Sequence, residues 1–145
     1  MFHTAKPSLG IKLLSLTLMA ALLAFGLFNA SAESAFPPVD VTELKVGMVL
    51  IGSQDDGFSG AHYKGLEGMK EALGLKDEQV LYKFNVPENA ECDAALRELV
   101  DAGCQIIFGN SWGFMNFMEE IADEYPDVIF SHCSGYKNNG VNFNN

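Results

Sequence analysis

The sequence predicts an α/β fold built on a doubly wound parallel sheet. Three features predict it: apolar segments of strand length alternate with helical patterns, the connections between them are short, and the apolar segments do not alternate strictly with polar residues. Strands and helices in this order form parallel βαβ units, whose right-handed crossovers place helices on both faces of the sheet. Ligands of such sheets bind beyond the carboxyl ends of the strands, where the chain order reverses.

The first 32 residues have the composition of an export signal. Lys6 and Lys12 provide a sparse positive start, residues 13–28 are uncharged and rich in Leu and Ala, and residues 30–32 read Ala-Ser-Ala, a pattern that signal peptidase cleaves. The apolar stretch is shorter than the roughly 20 residues that a membrane-spanning helix needs. We therefore expect cleavage after residue 32 and export of the remaining chain.

The rest of the chain is an acidic domain with a short linker. Residues 33–44 form the linker, since Pro37 and Pro38 exclude a helix and favour an extended chain. One α/β domain is expected at residues 45–145. The whole chain has 9 Lys+Arg and 19 Asp+Glu, a net charge of −10, and the predicted signal contributes only positive charge. Binding to nucleic acid or to an anionic membrane surface is therefore disfavoured.

The domain begins with an apolar strand, KVGMVLIG at residues 45–52, and a first helix over residues 59–73. Apolar residues of that helix recur at helical spacing, and a second stripe of small residues could let the helix approach the sheet closely. Gly74 provides a C-terminal stop. The apolar stripe contains Leu66, Met69 and Leu73, and the small stripe contains Ala61, Gly65, Gly68 and Ala72.

Three further strands and two helices follow. Asn89 can cap the second helix, which ends before Gly103. Ser111 can cap the third helix, which carries Phe114 on its apolar stripe and ends at Pro126. The strands are predicted at residues 79–86, 104–109 and 127–135, and the last ten residues, 136–145, are polar and rich in Asn.

The three cysteines are predicted to be free thiols. Cys92 begins the second helix and Cys104 follows its end, roughly 15–18 Å away at 1.5 Å per residue, whereas a disulfide allows about 4.4–6.8 Å between Cα atoms. Cys104 starts one strand and Cys133 ends the next, so these two lie at opposite edges of a parallel sheet. We expect all three to pack as small hydrophobic side chains.

Two loops are predicted to share one crevice at the carboxyl edge of the sheet. SQDDGFS follows the first strand, and GNSWGFMN follows the third. Carboxylates and amides there can hydrogen-bond a polar small molecule, while aromatic rings can cover its flat face. The alternative is a plain Asp-Gly turn before a helix, which requires no ligand. The candidate ligand contacts are Gln54, Asp55, Phe58, Ser59, Ser111, Trp112 and Asn116.

No catalytic group, metal site or cofactor is predicted. His62 lies within the first helix, where a packing or surface role is expected, and His132 and Cys133 are strand neighbours whose side chains point to opposite faces. The cysteine spacing matches no zinc pattern. The glycines form neither of the common phosphate-binding loops. Asp55 and Asp56 would suit a receiver domain, but the third strand ends without the carboxylate that such a domain needs.

The two loops together resemble the basic membrane protein family of ABC-transporter substrate-binding proteins, a purine-nucleoside-receptor-like group. SQDDGFSGAHYKGL is similar to a family segment of the form Asn-Asp-x-Gly/Ser-aromatic-Asn, which precedes a helix with Gly-Leu. IIFGNSWGFMNFMEEIADEYPDVIFSHCSGYK is similar to a second signature, with an apolar strand, a Gly-Phe-Met-Asp type of turn, and a helix that leads to a Pro-Asp-Val strand. The resemblance spans residues 45–145.

The resemblance implies the N-terminal lobe of a periplasmic binding protein of type I, truncated before the second lobe. It implies a non-enzymatic solute-binding component of an ABC importer, which binds a purine nucleoside or related heterocycle and delivers it to a permease in the inner membrane. Gln54 and Asp55 stand at polar ligand contacts, Phe58 at the aromatic residue that stacks on the base, and Asn116 at the residue that grips the ribose. Gln54, Ser59 and Asn116 replace the family's Asn, Asn and Asp.

A second class of function stays open at this point. A periplasmic α/β enzyme or a sensor input domain could use the same crevice, with Asp55 or Asp56 as a general acid or base. Binding of a solute without turnover would indicate the receptor, whereas formation of a product would indicate the enzyme.

Overall fold

The computed structural model describes residues 36–145, so the predicted signal sequence, residues 1–32, lies outside the described residues. Within this range the chain alternates between strand and helix as predicted. The strands are β1 (Val46–Val49), β2 (Val80–Lys83), β3 (Ile106–Gly109), β4 (Ile129–His132) and β5 (Phe143–Asn144), and the helices are α1 (Ser59–Leu73), α2 (Ala90–Asp101) and α3 (Met115–Glu124), with 3-10 turns at Asp77–Gln79 and Trp112–Phe114.

The strands form one parallel sheet in the order β2-β1-β3-β4-β5. The chain passes from β1 outward to β2 and then crosses to the other side of β1 to form β3, so its order reverses between β1 and β3. Val49 at the end of β1 is in register with Gly109 at the end of β3. The doubly wound parallel sheet is confirmed, and the loops that leave β1 and β3 are neighbours.

One face of the sheet is closed by α2 and α3. Alternate strand residues such as Ile107 and Phe130 are wholly buried against these helices. Full burial of an apolar side chain of this size stabilises the fold by about 1.5–3 kcal/mol, so this layer is the main core. The layer also contains Leu96 and Leu99 of α2, Phe114 of the 3-10 turn before α3, and Met118 and Ile121 of α3.

The opposite face is covered by α1 over β1 and β2. Leu66 is buried there with Met48. Tyr63 packs edge-on against Tyr82 and Phe84, with ring centroids 5.0 and 5.6 Å away. These rings occupy the space between helix and sheet, and they set the distance at which α1 lies.

Two expectations for α1 are wrong. Leu73 is 47% exposed, and the stripe of small residues faces solvent instead of the sheet. A Cβ at Gly65 or Gly68 would have no neighbour within 4 Å, so this side of α1 borders open space. A groove of about 400 Å³, lined in part by Met69, Phe108 and His62, lies beside the helix. The exposed small residues are Ala61, Gly65, Gly68 and Ala72.

Both helix-end predictions at Asn89 and Gly74 are confirmed. The Asn89 side chain accepts a hydrogen bond from the Glu91 N–H at 2.8 Å, which satisfies one free donor of α2. Gly74 adopts a left-handed φ of 67° and donates its N–H to carbonyls of the last turn of α1. Among residues 36–145, no helix is long and apolar enough to cross a bilayer.

The Asn-rich C-terminal segment, which the sequence patterns leave without secondary structure, joins the sheet as β5. Asn142 is 3% exposed, and its amide group serves the carbonyl oxygens where α3 ends and β4 begins. Phe143, the next residue, is buried beside β4 as a result. The Asn142 amide donates to the carbonyls of Ala122, Tyr125 and Val128 at 2.9, 3.0 and 2.8 Å.

Candidate functional site

The loops that leave β1 and β3 are joined by a buried asparagine. Asn110, the first residue after β3, is 1% exposed. Its Oδ1 accepts a hydrogen bond from the Ile51 N–H at 2.9 Å, and its Nδ2 donates to the Ser59 hydroxyl at 3.2 Å. One side chain therefore bonds both ends of the β1 loop and fixes it against the end of β3. The sequence pattern does not single out this residue, since a lone Asn after a strand is common.

The side chains of Ser59 and Asp56 accept hydrogen bonds from backbone N–H groups within the β1 loop. Ser59 has no exposed surface, and its hydroxyl accepts a hydrogen bond from the Gly52 N–H at 3.0 Å. The Ser59 N–H donates to Asp56 Oδ1 at 2.5 Å, so the carboxylate serves the first turn of α1. Ser59, which the sequence analysis names as a ligand contact, lies inside the loop, where its hydroxyl supports the exposed residues of that loop.

The exposed part of the β1 loop carries the other predicted contacts. Gln54 and Asp55 are both exposed, and Phe58 has 51% of its surface accessible. An exposed aromatic ring beside an amide and a carboxylate offers both an apolar face and polar edges to a small molecule.

The loop after β3 is held by Glu88, which lies between β2 and α2. Glu88 Oε1 accepts hydrogen bonds from the Ser111 hydroxyl at 2.5 Å and from the Gly113 N–H at 2.7 Å. Gly113 is required there, since a Cβ would collide with the Glu88 side chain. The expectation that the Ser111 hydroxyl caps the third helix is wrong, because that hydroxyl is bonded to Glu88. Ser111 and Glu88 are 23 residues apart in the sequence, so no local pattern contains this pair.

This anchored loop projects Trp112 into solvent. Trp112 is 60% exposed, while Phe114, two residues on, is fully buried in the core, as its place on the helical stripe predicts. Asn116 is exposed in the first turn of α3. Trp112 and Asn116 are thus exposed at the same end of the domain as Phe58.

A third loop, which follows β4, also reaches this edge. The Tyr136 ring is 67% exposed and lies 5.7 Å from the Trp112 ring, centroid to centroid. His132, at the end of β4, donates from Nε2 to the Ser111 carbonyl at 2.6 Å and so links the β3 and β4 loops. Its Nδ1 is buried without a hydrogen-bond partner in the described part of the chain. Tyr136 is a candidate ligand contact that the sequence analysis does not identify, although its position after a strand end is a usable signal.

One of the expectations about the cysteines, that for Cys133, is wrong. Cys133 is exposed, so it does not pack as a small hydrophobe, whereas Cys92 and Cys104 are buried as predicted. His62 is partly exposed, which agrees with the expected packing or surface role, and its Nε2 lies 3.4 Å from Cys133 Sγ. Over residues 36–145, no group of three or more His, Cys, Asp or Glu side chains is placed to hold a metal ion.

Glu88 gives the β3 loop a predicted pH dependence. The hydrogen bonds from Ser111 and Gly113 lower the pKa of Glu88 below the ordinary glutamate range, so the carboxylate stabilises the loop above about pH 4.3. This stabilisation is lost as the pH falls through the lower, folded-state pKa. The chain has one tryptophan, so Trp112 emission should change in that acid range. Glu88→Ala should show the acid spectrum at pH 7, whereas Glu91→Ala, an exposed control on α2, should keep the transition; identical titrations of the two variants would contradict the anchoring role.

The sequence comparison identifies the family. A family model of ABC transporter substrate-binding proteins, PnrA-like, matches residues 44–145. The chain belongs to this family. The matched range begins two residues before β1 and includes all three loops of the crevice, so the family assignment rests on the domain that forms the candidate site.

Individual relatives agree with this assignment in sequence and in fold. A purine-binding protein of Brucella abortus is 36% identical over 96 residues, which cover 66% of this chain and 27% of that protein. The crystal structure of a transcriptional activator of the comK gene from Bacillus halodurans matches with a TM-score of 0.54 at 27% identity. The match covers 63% of this chain and 30% of that chain. A solute-binding protein of an ABC transporter system from Conexibacter woesei has a TM-score of 0.53 at 22% identity, over 61% and 28%, and shares the fold. The chain spans less than a third of the length of each of these proteins.

Proposed function

We propose that this chain is the ligand-binding lobe of an exported solute-binding protein that serves an ABC importer, and that its ligand is a purine nucleoside or a related purine. The observation that carries the proposal is the pair of exposed rings, Phe58 and Trp112, which stand on adjacent loops where the strand order reverses. Membership of the substrate-binding family and the likeness to a purine-binding protein support it.

The exposed residues suit the chemistry of a purine. A heteroaromatic base has a flat face that can stack on Phe58 and Trp112, and polar edges that can bond Gln54 and Asp55. Asn116 can bond ribose hydroxyls, as an amide both donates and accepts. Ser111 serves the ligand indirectly, since its hydroxyl is bonded to Glu88.

The proposal includes a location and a partner. A signal sequence at residues 1–32 would be cleaved and would direct the domain at residues 45–145 to the periplasm. There the loaded protein would deliver its solute to a permease in the inner membrane. The excess of acidic residues agrees with a protein that has no nucleic-acid partner.

The proposed role is binding without catalysis. Asp56 is the weaker candidate for a general acid or base, because its Oδ1 already accepts the Ser59 N–H. Asp55 is exposed to solvent. Neither residue therefore stands in the apolar, water-excluded surroundings that tune a catalytic carboxylate.

A solute screen tests this function. Nucleosides, nucleobases and sugars are titrated into the protein by calorimetry, and each recovered solute is analysed by chromatography. Stacking on two rings, at about 1–3 kcal/mol for each, sums to about 2–6 kcal/mol and corresponds to a dissociation constant between about 30 mM and about 40 μM for the lobe. We expect purines to bind and to be recovered unchanged. Selective binding of sugars would contradict the proposed ligand, and product formation would contradict the binding role.

A further inference from the structure

Cys133 differs from the other two cysteines in its surroundings. It is exposed on the loop after β4, whereas Cys92 and Cys104 are buried. Burial raises the pKa of Cys92 to about 12 and that of Cys104 to about 11, so both remain protonated and inaccessible at neutral pH. Of the three thiols, Cys133 alone is open to a reagent in solution.

His62 is placed to act as a base toward this thiol. Its Nδ1 lies 2.9 Å from the Phe58 carbonyl oxygen, and a carbonyl oxygen can only accept, so in the neutral ring the hydrogen is on Nδ1. The lone pair is then on Nε2, the atom 3.4 Å from Cys133 Sγ. The Phe58 ring, with its centroid 4.7 Å from that of His62, holds the imidazole from the side.

A nucleophile, a base within reach and a group that orients the base are the three parts of an activated nucleophile. Here they come from two separate places in the chain: the β4 loop carries the thiol, and the start of α1 carries both the imidazole and the Phe58 carbonyl that orients it. We propose that Cys133 and His62 form a thiol-modification site, which reacts with small disulfides. This site is independent of the identity of the transported solute.

The reaction is thiol–disulfide exchange. The Cys133 thiol transfers its proton to His62 Nε2, and the resulting thiolate attacks one sulfur of the disulfide. The sulfur–sulfur bond of the reagent breaks as a bond to Cys133 Sγ forms, and the departing thiolate takes the proton from His62. The products are a mixed disulfide on Cys133 and one free small thiol, and an excess of thiol reverses the reaction.

The test measures adduct formation with oxidised glutathione by intact-protein mass spectrometry at pH 7. We expect one glutathione per chain, located at Cys133 by peptide mapping and absent from Cys133→Ser. His62→Gln, which keeps a side chain of similar size, should lower the second-order rate constant by about tenfold or more. Lys64→Gln, an exposed control on the same helix, should leave the rate constant unchanged.

A second measurement separates proton transfer from a change of structure. Above about pH 9 most exposed thiols ionise without a base, so the rates of the wild-type protein and of His62→Gln should converge there. Adducts spread equally over the three cysteines, or a rate at pH 7 that does not depend on His62, would overturn the proposal. Loss of the adduct in His62→Gln at every pH would also overturn it, because that result indicates a role in exposure alone.

Discussion

Replacing Asn110 with alanine is expected to lower the free energy of unfolding by about 3 kcal/mol. The substitution leaves the part-buried Ile51 N–H without its acceptor and removes the donor to the buried Ser59 hydroxyl, and an unsatisfied buried group costs about 1–3 kcal/mol. It also disconnects the β1 loop from the end of β3, so purine affinity should fall although Asn110 itself is inaccessible. Urea-induced unfolding and calorimetry measure the two effects.

The control for this substitution is Asn138→Ala. Asn138 is exposed, and exposed substitutions of this kind change stability by less than about 0.5 kcal/mol. Equal effects of the two variants on unfolding would contradict the bridging role of Asn110. A normal affinity in Asn110→Ala would indicate that the β1 loop holds its shape without the bridge.

Removing the exposed rings is expected to have the largest effect on binding. Phe58→Ala and Trp112→Ala should each weaken purine binding by about fivefold or more, because stacking of a base on an aromatic ring contributes about 1–3 kcal/mol. Both side chains are more than half exposed, so stability should change little. Calorimetric titration with a purine nucleoside measures the loss in each variant.

Leu73→Ala is the matched control for the two ring substitutions. Leu73 is also a large exposed apolar residue, at 47% accessibility. It is the last residue of α1, and α1 starts beside the crevice and runs to the opposite edge of the sheet, so Leu73 lies far from the crevice. Its removal should leave affinity unchanged. Unchanged affinity in both ring variants would exclude stacking as the source of binding.

The fold could be predicted because its signals are local. Apolar periodicity predicts α1 over the residues that form it, and Asn89 and Gly74 mark helix ends by conformational preferences that act within one turn. The doubly wound arrangement followed from the same patterns, since parallel crossovers limit the arrangements that a short α/β chain can adopt. The packing distance of α1 could not be predicted, because it depends on rings that β2 contributes from a distant part of the chain.

The proximity of the β1 and β3 loops was predictable, but the hydrogen bonds that hold these loops were not. The reversal point of the sheet indicates which loops meet, and the exposed rings of Phe58 and Trp112 lie on those loops. The roles of Ser59 and Ser111 depend on partners far away in sequence, Asn110 and Glu88, and no local pattern contains such pairs. The contact of His62 with Cys133 has the same origin, since it forms across the end of β3.

The emission of Trp112 provides the most direct test of the central claim, that purines bind in the crevice between the β1 and β3 loops. The protein is titrated with a purine nucleoside while this single tryptophan is excited, and glucose serves as the control solute. We expect the nucleoside to quench the emission in a saturable way and glucose to leave it unchanged. In Phe58→Ala the quenching curve should move to higher nucleoside concentration. If calorimetry records binding while the emission stays constant, the ligand binds elsewhere on the domain. That result would contradict purine binding between the two loops.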